Sequence, residues 1–227
     1  KLEKKDKGMN IMPLFHIHGL IASLLSSIVT GSSLVCTSGF NALTFYGSLK
    51  NFNPTWITAV PTMYQAILSR ASRNKEIIQS SNLRFLRSSS AAMPVATIET
   101  LENVFQCPVI EAYGMTEASH QMASNFLDGI RKAGSVGKSA GPEIALFKDN
   151  KLITVPNTIG EIIIKGKNVT NGYKNNDKAN KENFFNGWFR TGDLGKFDED
   201  GFLFISGRIK EIINKGGEKI SPLEVDN

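Results

Sequence analysis

The 227 residues are enough for one large domain or a domain and a half, and their composition, 41% hydrophobic and 21% charged, is that of an ordinary globular protein. The formal charge of +5 comes from cationic residues spread along the chain, and no ladder of aromatic and basic residues indicates nucleic-acid binding. Cys36 and Cys107 lie far apart outside any metal motif, which argues against a disulfide framework or zinc site and favours a reducing compartment.

The first half of the chain alternates short apolar runs with helical patterns. The patterns predict strands at 9–12, 33–37, 56–60, 85–88 and 109–112, and helices from Gly19, from Pro61 and over 96–105. The apolar stretch from Gly19 to Cys36 contains five serines, so we predict a buried helix running into a core strand and no transmembrane segment. The alternation predicts an α/β layer with a largely parallel sheet, assigned to residues 1–133.

The second half consists of short β segments separated by glycine, Asn-Gly and Asp-Gly turns. Strands are predicted at 144–147, 160–165, 188–190 and 201–206, which indicates a small β-rich subdomain over residues 134–206. The charged, glycine-containing segment that follows suits a hinge. The chain starts without methionine and stops inside a motif, so we interpret both ends as cuts.

A first chemical motif follows the last predicted parallel strand. It runs from Tyr113 to Glu117 (YGMTE) and lies where open α/β sheets bind ligands, at the carboxyl end of a strand. An aromatic face can stack on a nucleobase, a threonine hydroxyl can donate to a phosphate, and a glutamate can hold Mg²⁺. An ordinary loop with a helix-capping threonine is the alternative.

Two further motifs lie in the second half. A carboxylate, Asp193, is predicted after a short strand and a glycine turn, where it suits the two hydroxyls of a ribose or caps a turn. Cationic residues and a glycine pair from Arg208 to Pro222 suit phosphate contact, or form a surface turn. The segment Gly134–Ser139 ends like a phosphate loop, but only two residues separate its glycines where that loop needs four.

These motifs, in this order, resemble the adenylate-forming superfamily of acyl-CoA synthetases, coumarate-CoA ligases and firefly luciferase. The resemblance covers nearly the whole chain, through the segments 13–19, 88–94, 113–117, 160–166, 171–173, 187–193 and 207–222. It implies the truncated large domain of such an enzyme, with residues 207–227 as the hinge and the start of a C-terminal lid. The family's phosphate-gripping loop and lid lysine are expected outside the chain, so we expect the chain alone to be inactive.

The resemblance also implies how the chain holds a nucleotide. Tyr113 and the backbone of Ala91 and Ala92 are expected to line the adenine of ATP or AMP. Asp193 is expected to bind the ribose hydroxyls, with Arg208 beside it.

The remaining roles implied by the resemblance concern the reaction, in which ATP activates a carboxylate to acyl-AMP and coenzyme A then takes the acyl group as a thioester. Thr116 is expected to contact the α-phosphate and Glu117 the Mg²⁺. Lys210 matches the hinge position. His16 is expected near the acyl and pyrophosphate side, a satisfied core histidine being the alternative.

Within the superfamily, the run from Glu111 to Met122 looks most similar to the oxalate-CoA ligase group, which is of the peroxisomal type. Ser89 and Ser90 occupy positions often held by glycine, and His120 follows Glu117 closely. Two hydroxyls and an imidazole would satisfy the second carboxylate of a small diacid, which is costly to bury unpaired. The alternative for His120 is that it caps or packs a turn.

Two other functions stay open at this stage. A fatty-acid or coumarate-type CoA ligase would favour a pocket of glycine and apolar residues. A catalytically silent nucleotide-binding scaffold would need no Mg²⁺ carboxylate, so the set of Thr116, Glu117 and Asp193 argues against it. Cytoplasm or peroxisome is the expected location.

Overall fold

A mainly parallel sheet is built from the first half of the chain. The computed structural model describes residues 1–211, 213–215 and 218–220. Five parallel strands run in the order β2-β1-β3-β4-β5, and two short antiparallel strands, β6 and β7, extend the β5 edge. Their bounds are β1 (Lys7–Asn10), β2 (Ser33–Cys36), β3 (Trp56–Ala59), β4 (Phe85–Ser88), β5 (Val109–Tyr113), β6 (Ala123–Ser124) and β7 (Lys138–Ser139). The predicted α/β layer with a largely parallel sheet is confirmed.

Four helices cover one face of this sheet: α2 (Phe45–Phe52), α3 (Pro61–Leu68), α4 (Lys75–Gln79) and α5 (Val95–Phe105). Pro61 starts α3 because a proline at the first helical position lacks only an N–H that would have no partner there. In α5 the buried residues Ile98, Leu101 and Phe105 recur at helical spacing and pack on Ile57 and Leu86 of the sheet. The main hydrophobic core lies between these two layers.

The opposite face of the sheet is polar at the carboxyl end of its strands. Side chains alternate along a strand, so Thr58 and Arg87 point away from the helical layer, and the strand register pairs them directly. A π-helical segment, His18–Leu25, lies next to these two side chains and continues into α1 (Ser26–Thr30). Gly19 permits its close approach, since a Cβ there would lie 2.4 Å from the Pro13 carbonyl oxygen.

The apolar stretch after Gly19 forms a helix and then a strand, as predicted, but neither is fully buried. The Val29 side chain is 86% exposed, and β2 is the edge strand of the sheet. The prediction of a core strand is wrong because the pattern of apolar residues does not reveal which strand lies at the edge. In the part of the chain that is described, no helix has the length and apolar character needed to cross a bilayer.

A second, antiparallel sheet forms the β-rich half. Its order is β11-β12-β10-β8-β9, with β13 paired to β12. The bounds are β8 (Glu143–Lys148), β9 (Lys151–Ile153), β10 (Gly160–Lys165), β11 (Phe184–Phe185), β12 (Trp188–Phe197) and β13 (Leu203–Arg208), and α6 (Asp177–Asn183) precedes β11. Ile162, Ile164 and Leu203 share one core cluster with Ala118 and Met122 from the first half, so the two halves pack together.

Two details of this half differ from prediction. The strand expected at 188–190 extends to Phe197, so Asp193 lies inside a strand and not after a turn. Register shifts on both sides of β12 mark a bulge that lets the strand continue. The division at residue 133 stays a prediction, and β7 of the first sheet lies beyond it.

The predicted hinge segment is only partly described. Arg208 ends β13 and Lys210 lies in a short 3₁₀ turn, Ile209–Glu211. A hairpin of β14 (Ile213–Lys215) and β15 (Glu218–Ile220) follows. Residues 212, 216–217 and 221–227 lie outside the described residues.

Candidate active site

A buried arginine organises the polar end of the sheet. Arg87, 7% exposed on β4, donates to the Thr58 hydroxyl at 3.3 Å, to His120 Nε2 at 3.1 Å and to Gln121 Oε1 at 3.3 Å. His18 completes the cluster, with its Nε2 2.6 Å from the Thr58 hydroxyl and its Nδ1 3.0 Å from Ser90 Oγ. We call these residues, Arg87, Thr58, His18, His120, Ser90 and Gln121, the arginine cluster.

The hydrogen bonds of the arginine cluster have a consistent direction. A guanidinium only donates, so His120 must present an unprotonated Nε2 to Arg87. Thr58 accepts from Arg87 and is free to donate to His18 Nε2, which leaves the proton of His18 on Nδ1, facing Ser90. Both imidazoles are therefore neutral, and their rings stack with centroids 5.1 Å apart.

Burial and the nearby guanidinium explain this protonation state. Burial, and then the charge of Arg87, lower the pKa of His18 to about 2 and that of His120 to about 3. Burial also lowers the pKa of Arg87 to about 10, which still leaves it charged at neutral pH. No carboxylate among the described residues pairs with Arg87. The cluster therefore presents one uncompensated positive charge.

The backbone around the cluster is shaped to bring its side chains together. Ser90 and His120 both have positive φ, 75° and 80°, a strained conformation that is frequent at functional sites. Gly114 of the YGMTE motif is needed for the approach of His120, because a Cβ there would lie 1.4 Å from the His120 carbonyl oxygen. Gly114 therefore lets the YGMTE motif pack directly against the backbone of His120, a member of the arginine cluster.

A second group of side chains joins the two halves of the molecule. The hydroxyl of Tyr113 donates to Asp193 Oδ2 at 2.5 Å, and Arg208 Nε donates to Asp193 Oδ1 at 2.7 Å. Asp193 is 5% exposed, and Tyr113 is half-buried. A carboxylate has about four lone-pair positions, so two remain for hydroxyl donors. Three predicted nucleotide-binding residues, 80 and 15 positions apart in sequence, therefore meet in one place.

Glu117 is half-buried and lies in a 3₁₀ turn that starts at the exposed Thr116. The Tyr173 hydroxyl donates to its Oε1 at 2.7 Å, and Oε2 has no hydrogen-bond partner among the described residues. Magnesium on ATP takes most of its ligands from phosphates and water, so one protein carboxylate suits it. The described residues contain no group of three or more His, Cys, Asp or Glu side chains placed to hold a metal. The donor set fits a nucleotide-borne magnesium ion.

The other predicted site residues take varied positions. Ala91 and Ala92 are exposed in the loop between β4 and α5. The Ser89 hydroxyl is buried and donates to the Ala112 carbonyl at 2.8 Å. His16 is exposed and its ring lies beside Phe15, while Lys210 is exposed in the 3₁₀ turn after β13. The roles expected for these residues stay predictions.

Several residues of the site were not predicted as such: His18, Thr58, Arg87, Gln121 and Tyr173. An arginine is rarely buried unless it is paired, so its place in the predicted strand 85–88 was the available sign for Arg87. His18 stands two positions after His16, in the same motif, and the structure buries the second histidine and exposes the first. No local pattern marks Thr58 or Gln121.

Glu111, two residues before Tyr113 on β5, provides a test of how stability depends on pH. It is 6% exposed and accepts from the Gly134 backbone at 3.0 Å, and burial raises its pKa from the ordinary 4.5 to about 7. A raised pKa in the folded state means that its stabilising effect is complete below pH 4.5 and is lost as the pH rises through about 7. Glu111→Gln, a mimic of the neutral acid, should therefore make the free energy of unfolding less dependent on pH between 5 and 8. Urea titrations at several pH values measure this, and an unchanged slope against pH would contradict it.

The chain matches a family model and curated proteins over most or all of its length. Residues 1–174 match the model of a family described as AMP-binding enzyme. The whole chain is 50% identical to an oxalate-CoA ligase of Arabidopsis thaliana and 48% identical to one of Saccharomyces cerevisiae, and it spans 45% and 41% of their lengths. The chain thus spans less than half of these relatives.

Solved structures resemble the chain over nearly all of its length. An O-succinylbenzoate coenzyme A synthetase from Bacillus subtilis, in complex with ATP and magnesium, is 33% identical with a TM-score of 0.83, and the match covers 99% of this chain and 46% of that one. MatB from Rhodopseudomonas palustris, bound to ATP, is 30% identical with a TM-score of 0.90, covering 98% and 44%. The predicted large-domain fold is confirmed.

Proposed function

We propose that this chain, which belongs to the AMP-binding enzyme family, carries the nucleotide and acid sites of an ATP-dependent acyl-CoA ligase. The reaction would join a carboxylate to the α-phosphorus of ATP, releasing pyrophosphate, and coenzyme A would then displace AMP to form a thioester. We further propose a small dicarboxylate such as oxalate as the acid, and cytoplasm or peroxisome as the location.

One observation carries this proposal: the uncompensated Arg87 is hydrogen-bonded to His120, three residues after the YGMTE motif. The motif segment 113–121 contributes Tyr113 to the Asp193 group and His120 to the arginine cluster. A nucleotide bound by the first group would therefore have its phosphates near Thr116 and Glu117, with the acid on the side of His120. A protein that only binds a nucleotide would not need the buried charge of Arg87 next to the proposed acid site.

The residues of the chain would act mainly by positioning and by charge. Asp193 would accept from the ribose hydroxyls, the Tyr113 ring would lie against the adenine beside the Ala91 and Ala92 backbone, and Thr116 would donate to the α-phosphate. A magnesium ion, when bound at Glu117 and the phosphates, would neutralise charge on the departing pyrophosphate. Because the protein itself forms no covalent bond to the reactants in this scheme, orientation of the two reactants would supply most of the rate enhancement.

The arginine cluster suits the second carboxylate of a diacid. A carboxylate buried beside Arg87 would gain a charged hydrogen bond, with the Ser90 hydroxyl and the Nδ1–H of His120 as further donors. An alkyl chain would leave the same groups unpaired, which discriminates against it. Because the imidazole of His120 is already neutral, it adds a hydrogen-bond donor without adding charge.

A substrate panel on the enzyme expressed from its complete coding sequence tests the proposal. Pyrophosphate release is measured with oxalate, malonate, acetate, coumarate and a medium-chain fatty acid, each with ATP and magnesium. We expect oxalate to give the highest kcat/KM. Activation of coumarate or the fatty acid with none of oxalate would contradict the proposed acid, and no ATP-dependent pyrophosphate release with any acid would contradict the proposed reaction.

A second candidate is a ligase for a larger acid, and one observation favours it. A cavity of about 420 Å³ lies beyond Arg87, and apolar side chains including Ile21, Trp56, Phe85 and Ile110 line much of it. An acid with both a carboxylate for Arg87 and an apolar body would use both parts. The same substrate panel distinguishes this candidate, since it predicts a preference for the larger acids over oxalate.

A further inference from the structure

The Asn171-Gly-Tyr173 motif lies outside the roles assigned so far, yet its tyrosine contacts the proposed magnesium carboxylate. The Tyr173 hydroxyl donates to Glu117 Oε1 at 2.7 Å across 56 residues of sequence. Glu117 belongs to the parallel-sheet half and Tyr173 to the β-rich half. The hydrogen bond therefore depends on how the two halves are held together.

Tyr173 is itself fixed from two sides. The Asn180 side chain of α6 accepts from the Tyr173 backbone N–H at 2.7 Å and donates to its carbonyl at 2.9 Å. Its ring meets Phe184 and Phe189 edge to face, with centroids 6.5 and 6.4 Å apart. These contacts restrict both the backbone and the ring of Tyr173, so its hydroxyl has little freedom to move. A residue that orients a metal-binding carboxylate needs such rigidity.

The loop before Tyr173 holds the backbone of the same turn. Thr170 N–H donates to the Glu117 carbonyl at 2.7 Å, and the Asn168 side chain donates to the Ala118 carbonyl at 2.8 Å. The Ser119 hydroxyl donates back to the Asn168 carbonyl at 3.1 Å. The backbone of Glu117 and one of its two carboxylate oxygens are thus both held by the 168–173 segment.

We propose that Tyr173 is a positioning residue that orients the Glu117 carboxylate toward the divalent cation carried by ATP. This inference rests on the proposed function, in which Glu117 binds that cation. The phenol occupies Oε1 and fixes the plane of the carboxylate, which leaves Oε2 to face the cation. Groups that hold a metal ligand in this way strengthen metal binding although they do not touch the metal.

The test uses the enzyme expressed from its complete coding sequence, with Tyr173→Phe, Glu117→Gln and Tyr46→Phe. Tyr46→Phe is the matched control, because it also removes one phenol hydrogen bond, 2.8 Å long to the Ile67 carbonyl, within the helical layer. Binding of Mn²⁺ in the presence of ATP is measured by electron paramagnetic resonance, and adenylation is measured against Mg²⁺ concentration. For Tyr173→Phe we expect metal affinity to fall by roughly 10-fold, with kcat at saturating metal close to that of the wild type and no change in Tyr46→Phe.

The outcomes separate this inference from the proposed function. If Glu117→Gln leaves metal binding unchanged, the proposed role of Glu117 is wrong, and the inference fails with it. If Glu117→Gln weakens metal binding and Tyr173→Phe does not, Tyr173 only packs the loop and the inference alone is overturned. Should Tyr173→Phe fold poorly, Asn180→Ala frees the tyrosine backbone and keeps its hydroxyl, and unchanged metal affinity in that variant overturns the inference as well.

Discussion

Asp193→Ala, in the enzyme expressed from its complete coding sequence, is expected to raise the KM for ATP by about 100-fold or more in the adenylation half-reaction. The variant removes the acceptor for two ribose hydroxyls, and a hydrogen bond to a charged group contributes about 1.5 to 3 kcal/mol. Two such bonds correspond to a factor of at least about 100 in affinity. Pyrophosphate release as a function of ATP concentration measures the effect.

The same substitution acts on the free protein as well. Asp193 accepts from both Tyr113 and Arg208, so alanine leaves a half-buried phenol and a guanidinium without their partner. Asp193→Asn keeps the shape and one acceptor oxygen but loses the charge, and its effect on ATP should be smaller. Asp200→Ala is the control, since it removes an exposed carboxylate from the turn that follows the same strand. ATP binding and adenylation that stay normal in Asp193→Ala would remove Asp193 from the site.

The local parts of this structure could be predicted from sequence because each depends on short-range patterns. The strands at 85–88 and 160–165 have the predicted bounds, since each is an apolar run ended by a polar residue or turn. The YGMTE motif lies where a parallel sheet places it, at the carboxyl end of β5. Asp193 was predicted as a site residue but not as part of a strand, because a bulge decides where β12 ends.

The contacts that assemble the site could not be predicted in the same way. The partners of Arg87 come from β3, the π-helical segment and the turn after the YGMTE motif. A single sequence gives the period of each element but not the register and packing that bring distant side chains within hydrogen-bonding distance of one another. The pairs Tyr113–Asp193 and Tyr173–Glu117 depend in addition on how the two sheets pack. The motifs therefore pointed to candidate residues, and the contacts between those residues required the structure.

Arg87→Met is expected to lower kcat/KM for oxalate by about 150- to 5000-fold in the enzyme expressed from its complete coding sequence. Methionine fills much of the same volume but removes the buried charge that the second carboxylate of oxalate would meet. Removing one partner of a buried ion pair costs about 3 to 5 kcal/mol, which sets this range. The substrate panel described above measures it, with acetate included because it lacks a second carboxylate.

The ratio of oxalate to acetate activity separates a loss of specificity from a loss of folding. Arg84→Met is the matched control: Arg84 lies three residues earlier and pairs with Asp6 at 2.6 Å, so its loss should lower stability and leave the ratio unchanged. His120→Ala should shift the ratio less than Arg87→Met, since it removes an imidazole that is neutral and leaves the guanidinium in place. If Arg87→Met retains the oxalate preference of the wild type, the buried cation serves the fold alone. Recognition of the acid would then depend on the neutral donors of the cluster. Because a monocarboxylate can accept from those donors as well as a dicarboxylate can, the arginine cluster would give no reason to prefer a diacid.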